Sequence, residues 1–416
     1  MKLSLANFLH SFTYDEHPDL FASAKKHQIQ VDTITLADHA ITRYSGEFWT
    51  ARQRQASSLH EVSYRACFKA ELPRFFIALL TKEEDVVYDP FSGRGTTAIE
   101  AGLHNRNVIS NDINPLSEIL SIPRFSIPNL DLVRERLKLL KVNPKCKAEI
   151  DLSMFYHQKT EAEIVSLQRY LLDRKKNGKE DEIDRWIRMV ATNRLTGHSK
   201  GFFSVYTLPP NQAVSPERQL KINKKLKQKP EYRDVRELIL KKSKSLIHKL
   251  TAHQITSLRR AGEHSVFLTL DARHTTPIKK ASVQLTVTSP PFLNIVSYHT
   301  DNWLRCWFNG IDDQEIGKHI TASRTVEHWS EIMESVFKEL FRITKTGGWV
   351  AFEVGDLKGG KINLDEHVVP LGLHAGFECQ GILINAQKFT KTSNIWGIHN
   401  NHHGTNTNRI VLFHKR

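Results

Sequence analysis

The sequence predicts an α/β fold, a mainly parallel sheet interrupted by one large, mainly helical insertion. Three observations carry that reading. Val86-Val87-Tyr88-Asp89 is a short apolar strand ending at a glycine turn, Thr96 to His104 is a helix with Ala98, Ile99 and Leu103 on one side, and Val108 to Asp112 is a second strand. Strand, turn, helix and strand form the opening unit of a parallel sheet. Strands resume only at Val266 to Asp271 and Val283 to Val287, and the roughly 150 residues between Asp112 and Val266 far exceed an ordinary αβ loop. Charge marks the same interval: Asp181 to Gly262 holds 18 Lys/Arg against 7 Asp/Glu, +11 of the chain's net +14.

Inside that interval Pro115, Pro123 and Pro128 end the alternating pattern. Glu161 to Lys176 and Asp181 to Leu195 then read as amphipathic helices, and Tyr232 to Arg260 as one longer helix. After the resumed strands, Trp329 to Ile343 reads as a helix, Trp349 to Val354 as a strand, and Arg409 to His414 as the last strand. The expected organisation is an N-terminal extension (1–59), a catalytic domain in two pieces (60–120 and 263–416), and an inserted basic domain (121–262) as the candidate target-recognition part. The role of the extension, with aromatic Phe8, Phe12, Tyr14, Phe21 and Trp49, stays open between capping the core and meeting a partner.

A chain of 416 residues buries a substantial core without help from disulfides or metal. Its cysteines, Cys67, Cys146, Cys306 and Cys379, are scattered singly, a pattern that argues against a zinc site or a disulfide framework. No apolar run approaches the roughly 20 residues that span a bilayer, and the N-terminus lacks the features of a cleaved leader. A soluble, cytoplasmic protein is expected. Lys+Arg exceed Asp+Glu by 59 − 45 = 14, a balance that favours a polyanionic partner.

The turn Asp89-Pro90-Phe91-Ser92-Gly93-Arg94-Gly95-Thr96-Thr97 follows a strand and opens a helix, where glycines admit a close approach of backbone to ligand. Asp89 at the strand end can accept from an ammonium group, and Asp112 at the end of the next strand can take both hydroxyls of a ribose. A phosphate-cradling P-loop is disfavoured because no Gly-Lys-Ser/Thr follows; a generic dinucleotide turn remains an alternative. Asp271, after an apolar strand, is a candidate acceptor for an adenine amine, or equally a turn residue. Phe91 is a candidate to stack near the adenine, or a core residue.

Together with Thr288-Ser289-Pro290-Pro291-Phe292, this turn resembles the DNA amino-methyltransferases. Asp89 to Thr97 is similar to their cofactor motif, and Ser289 to Phe292 is similar to their catalytic motif in the version associated with cytosine-N4 enzymes. Tyr64-Arg65-Ala66-Cys67-Phe68-Lys69-Ala70-Glu71-Leu72-Pro73 resembles the segment that packs around the methionine end of their cofactor. Tyr298 through Phe308 and the turn Thr346-Gly347-Gly348 resemble further family segments, so the likeness covers roughly residues 60–120 and 264–416. It implies a Rossmann-like methyltransferase sheet, S-adenosyl-L-methionine as cofactor, and duplex DNA with a flipped base as partner. It implies Phe68, Lys69, Asp89, Phe91, Gly93, Gly95, Thr96, Asp112 and Asp271 as cofactor residues, and Ser289, Pro290, Pro291 and Phe292 as catalytic ones.

The chemistry of the second motif follows from its side chains. An exocyclic base amine has its lone pair delocalised into the ring, so acceptors must draw its protons before the nitrogen becomes nucleophilic. The Ser289 hydroxyl and the Pro290 carbonyl are such acceptors, and the prolines fix their direction. Phe292 offers a face for an extruded base. The bland alternative makes Ser-Pro-Pro a strand end and Phe292 a core residue.

In many enzymes with the Ser-Pro-Pro version the catalytic motif comes first. Here the order is reversed, as in another group whose target-recognition part lies between the motifs. Cytosine N4 is the first expectation for the methylated atom, with adenine N6 or an RNA base as alternatives. A binding module without catalysis is the reading from another class, and the intact motifs argue against it. Within the insertion, Phe202, Phe203 and Tyr206 are candidates for base or sugar contacts, with core roles preferred for two of the three. His198, Lys200 and Asn211 are candidate polar contacts at the site mouth, and Lys221 to Lys229 holds five lysines in nine residues. The tail His399-Asn400-Asn401-His402-His403-Gly404 reads as a polar loop rather than a metal site.

Overall fold

The computed structural model describes residues 29–49, 56–65, 67–208, 213–291, 298–319, 323, 325–357, 362–386 and 407–416. Phe292, Asn211, the tail at 399–404 and the aromatic residues Phe8, Phe12, Tyr14 and Phe21 lie outside the described residues.

The chain enters the sheet through a hairpin, β1 (Gln30–Leu36) and β2 (His39–Gly46). Its two turn residues, Ala37 and Asp38, both have positive φ, 47° and 61°, the type I′ geometry whose twist matches paired strands. Helix α1 (Glu71–Leu80) leads to β3 (Val86–Asp89), α2 (Thr96–Leu103) and β4 (Asn107–Asn111). The intervening helices are α3 (Leu116–Ser121), α4 (Leu130–Leu139), α5 (Gln158–Lys176), α6 (Glu182–Arg194), α7 (Pro216–Leu226), α8 (Val235–Ile247) and α9 (Ala252–His264). Strands β5 (Val266–Leu268) and β6 (Val283–Thr288) follow, then α10 (Tyr298–Asp301), α11 (Trp303–Asn309), α12 (Asp313–His319) and α13 (Val326–Ile343). The last elements are β7 (Thr344–Val354), a small β8 (Asp356–Leu357) and β9 (Ile362–Asn363) pair, α14 (Leu364–His374), β10 (Glu378–Ala386) and β11 (Thr407–His414).

One sheet has the order β1-β2-β10-β11-β7-β6-β3-β4-β5. The pairs β2/β10, β7/β6, β6/β3, β3/β4 and β4/β5 are parallel, whereas β11 is antiparallel to both neighbours and β1 to β2. From β5 to β10 seven strands form a sheet in which only β11 runs against the rest, with the hairpin added at the far edge. The fold class expected from sequence is the one observed. Residues 30–46, part of the N-terminal extension, therefore belong to the sheet. Phe48 and Trp49 behind them pack on Phe75 and Phe76 of α1.

Side-chain alternation along the strands sends residues to two separate cores. Val87, Leu285, Val287 and Ala351 join one; Tyr88, Val283, Val350 and Phe352 join the other, beneath α13 and α14. The first core contains Phe76 of α1 and Ile99 of α2 together with Val133, Ile164, Leu167, Trp186, Ile187, Val235, Ile239 and Leu258 from the intervening helices. The inserted segment thus shares its core with one face of the sheet. Its last helix, α9, packs on α2 and β4 and is the crossover helix that a parallel β4-to-β5 connection requires.

Two expected elements differ. Tyr232 to Arg260 is two helices, because Thr251 accepts from the Gln254 amide and the Gln254 side chain accepts from the Thr251 amide, a capping box that starts α9 afresh. The strand expected over Val266 to Asp271 ends at Leu268, since the Leu270 amide turns aside to Asn111 Oδ1 at 3.0 Å.

Candidate active site

The carboxyl ends of β3, β4 and β6 open on a cleft of about 930 Å³, the place where open α/β sheets bind ligands. Its lining includes Tyr64, Phe91, Gly93, Asp112, Asp271, Ser289, Pro291 and Trp329. The glycine turn and the proline corner meet here because β3 and β6 are neighbouring parallel strands. Across that seam Thr288 Oγ1 donates to Asp89 Oδ1 at 2.6 Å, and Thr97 Oγ1 donates to the Val287 carbonyl at 3.1 Å.

Asp89 is buried. Its Oδ1 also accepts from the Phe91 amide at 3.1 Å, while Oδ2 is buried with no hydrogen-bond partner. Desolvation pushes its carboxyl up to about 7, against the bonds from Thr288 and Phe91 that favour the ionised form. Asp112 braces the turn: Oδ2 accepts from the Gly93 amide at 2.7 Å and Oδ1 from the Asn114 amide at 2.9 Å. Burial pushes it up to about 6.

Gly93 and Gly95 both have positive φ, 54° and 75°, which a side chain would strain. Their surroundings separate them. A Cβ on Gly93 would rest 3.5 Å from the Tyr64 ring at the cleft wall, whereas on Gly95 it would fall 2.2 Å from Ser121 Oγ. Gly95 is thus required by packing on α3, and neither it nor Thr96, buried at the start of α2, lines the cleft. Phe68 packs on the core. Lys69 lines a second, polar cavity of about 1030 Å³ with His60, Glu71 and Arg94, and Tyr64 borders both spaces. Asp271 lines the cleft but is held by Arg273, whose Nη2 donates to Oδ2 at 2.6 Å and whose amide donates to Oδ1 at 2.9 Å. That guanidinium lowers the carboxyl of Asp271.

At the proline corner Pro290 is buried and Pro291 half-buried. Trp329 Nε1 donates to the Pro291 carbonyl at 3.1 Å. In the insertion Phe202 and Phe203 are buried and Tyr206 is half-buried. His198 and Lys200 are exposed and do not line the cleft.

With this geometry stand the likenesses to known proteins. A family described as DNA methylase (N6_N4_Mtase) matches residues 17–119. The chain is 33% identical over 86 residues to orphan methyltransferase M.BamHII of Bacillus amyloliquefaciens, covering 20% of this chain and 32% of that protein. It is 38% identical over 68 residues to type II methyltransferase M.PvuII of Proteus hauseri, covering 16% and 20%.

Over these stretches the chain is similar to DNA methyltransferases.

The matched stretches span less than a third of the length of those two relatives. Among solved structures, TrmN from Thermus thermophilus aligns over 96% of this chain and 62% of its own at 13% identity, with a TM-score of 0.33. The cofactor that the likeness to DNA methyltransferases implies is S-adenosyl-L-methionine. Two features of the turn suit it: a buried carboxylate oxygen on Asp89 lacks a partner, and the glycine backbone is braced from behind by Asp112.

Three residues in or behind this cleft escaped the sequence reading. Glu353 on β7 is buried and accepts from Asn408 Nδ2; burial raises its carboxyl, against the Ser289 hydroxyl and Asn408, which lower it. A charge inside the apolar strand Val350-Ala351-Phe352-Glu353-Val354 was the available signal. Asn111, also buried, donates to the carbonyls of Pro90 at 3.2 Å and Leu270 at 2.9 Å, tying three cleft loops together. Neither it nor Trp329 carried a local signal. Among the described residues no group of three metal-ligating side chains is assembled, and no helix is long and apolar enough to cross a membrane.

Proposed function

We propose that this chain methylates an exocyclic amino group of a nucleobase in DNA, with cytosine N4 as the target atom. The observation that supports this most is the Thr288–Asp89 hydrogen bond, which joins the proline corner to the glycine turn at one cleft. On this reading Asp112 receives the ribose of S-adenosyl-L-methionine, Phe91 and Asp271 border its adenine, and the buried Asp89 is the candidate acceptor for its ammonium. Bound, the cofactor supplies a methyl group already activated on a sulfonium.

The protein's own part is to prepare the amine. The Ser289 hydroxyl acts on the Glu353 carboxyl; on this reading it donates its proton there and keeps the lone pairs of Oγ for an N–H of the base. Trp329 holds the Pro291 carbonyl and so fixes the peptide beside the Pro290 acceptor. As the nitrogen gains its methyl carbon it must release a proton. Ser289 Oγ takes that proton while passing its own to Glu353, whose raised carboxyl suits an acceptor in a buried site. Phe292, outside the described residues, is assigned to stacking on the motif alone.

The motif order, glycine turn before Ser-Pro-Pro, is the specific observation that keeps adenine N6 as the second reading. The test is incubation with labelled cofactor, duplex DNA and total RNA, followed by nucleoside mass spectrometry. N4-methylcytosine from DNA is the expected product. N6-methyladenine would change the base and keep the chemistry. Nucleic-acid binding without cofactor binding would make this a non-catalytic module, and no labelled nucleoside at all would overturn the proposal.

A further inference from the structure

Helix α7 is locked to its neighbours by neutral polar groups on one side and crowded with cations on the other. Gln219, fully buried, and Gln228 both donate through Nε2 to the Tyr206 carbonyl, at 3.0 and 2.8 Å. Both also donate to Asn223 Oδ1 at 2.8 Å, and Asn223 Nδ2 donates to the Met154 carbonyl at 2.8 Å. These bonds fix the rotation of the helix about its axis. Its exposed surface, with the residues just after it, then presents Arg218, Lys221, Lys224, Lys225, Lys227 and Lys229 against Glu217.

None of these six cations forms an ion pair among the described residues. Elsewhere in the inserted segment several arginines and a lysine are paired, Arg136 and Arg174 with Asp181 and Asp184, Arg188 with Glu180, Lys242 with Glu61, Arg260 with Glu84, and the remaining cations, such as Lys175, Lys241 and Arg259, are spread over several helices rather than gathered on one. One or two cations at the carboxyl end of a helix are explained by its dipole. Six unpaired ones repel one another and call for an external anion.

A short chain of contacts links the segment just ahead of α7 to the cleft. Just ahead of α7 the Ala213 amide donates to the Asp301 carbonyl at 2.9 Å, and Trp303 Nε1 donates to the Val214 carbonyl at 3.2 Å. Asp301 in turn pairs with Arg65 at 2.6 Å, beside the cleft residue Tyr64. The stripe Arg218, Lys221 and Lys225 follows one helix face over about 10 Å at about 1.5 Å per residue. That is the axial length of about three nucleotides of one strand.

We infer that the outer face of α7 tracks the phosphates of the DNA strand whose base enters the cleft; this rests on the reading of that cleft as a base-methylating site. The experiment measures the affinity of the full chain for a duplex across a salt series, for wild type, for the triple variant Arg218→Gln, Lys221→Gln, Lys225→Gln, and for the double variant Lys221→Arg, Lys225→Arg. With three phosphate contacts removed, the plot of log affinity against log salt becomes shallower by about 2.7 in the Gln variant. The Arg variant keeps the wild-type slope, and cofactor affinity is the same in all three. A Gln variant with the wild-type slope, beside a wild type that methylates DNA, would overturn this inference alone. A wild type that binds cofactor but no DNA would overturn the proposed function and this inference together.

Discussion

Asp89 shows how a single residue serves two tasks in this site. It is fixed by Thr288 and the Phe91 amide, yet it keeps one buried oxygen unpartnered. The carboxyl sits at about 7 in the folded chain against an ordinary value of 3.8, so between those pH values the native state holds a proton that the unfolded state has released. Stability of the cofactor-free protein is therefore present at low pH and lost as pH rises through 7; Asp112, at about 6, adds the same sign. The melting temperature of the free protein is expected to fall from pH 5 to pH 8, and Asp89→Asn is expected to flatten that fall. Parallel profiles for both proteins would refute the assignment. The need for two glycines and two aspartates was legible in the sequence, because each sits at a strand end or a turn. What lay behind them was not: the clash of a Gly95 side chain with Ser121 and the bond between Thr288 and Asp89 join residues far apart in the chain.

At the scale of elements, apolar period and turn residues located β3, α2, β4, β6 and α13 well, since each is short and bounded by clear breakers. They failed where side chains override period. The run from Tyr232 to Arg260 is apolar at helical spacing throughout, but Thr251 and Gln254 cap each other's amides and divide it into α8 and α9. The Thr-x-x-Gln spacing was the readable sign. Thr251→Ala is expected to cost about 1 kcal/mol of unfolding free energy, measured by denaturant titration, and Thr251→Ser is expected to restore most of it. No loss in the alanine variant would mean that α9 is held by packing on α2 alone. Strand β5 stops early for a related reason, because Asn111 draws Leu270 out of the ladder and into the cleft wall.

For the whole molecule, the sequence separates a catalytic part from a basic insertion, and the structure joins them through one core. Trp186, Ile187 and Val235 from the insertion lie in the same cluster as Phe76, Ile99 and Val287 around the sheet. Segment 121–262, expressed alone, is expected to show no cooperative thermal transition, because its apolar face would lie bare to water; a sharp transition in that fragment would mark it as an independent domain. The charge excess that announced the insertion was visible in composition. That α7 is locked by Gln219 and Asn223 so that its cations face outward needed coordinates.

The central claim is that glycine turn and proline corner divide one task, holding the donor and preparing the acceptor. Ser289→Ala tests it most directly, with methyl transfer to DNA and S-adenosyl-L-methionine affinity measured on the same preparation. Transfer is expected to fall about a hundredfold or more, as for loss of a positioned acid–base group, while cofactor affinity stays at the wild-type value. Unchanged transfer, or cofactor affinity lost in proportion to transfer, would contradict the account.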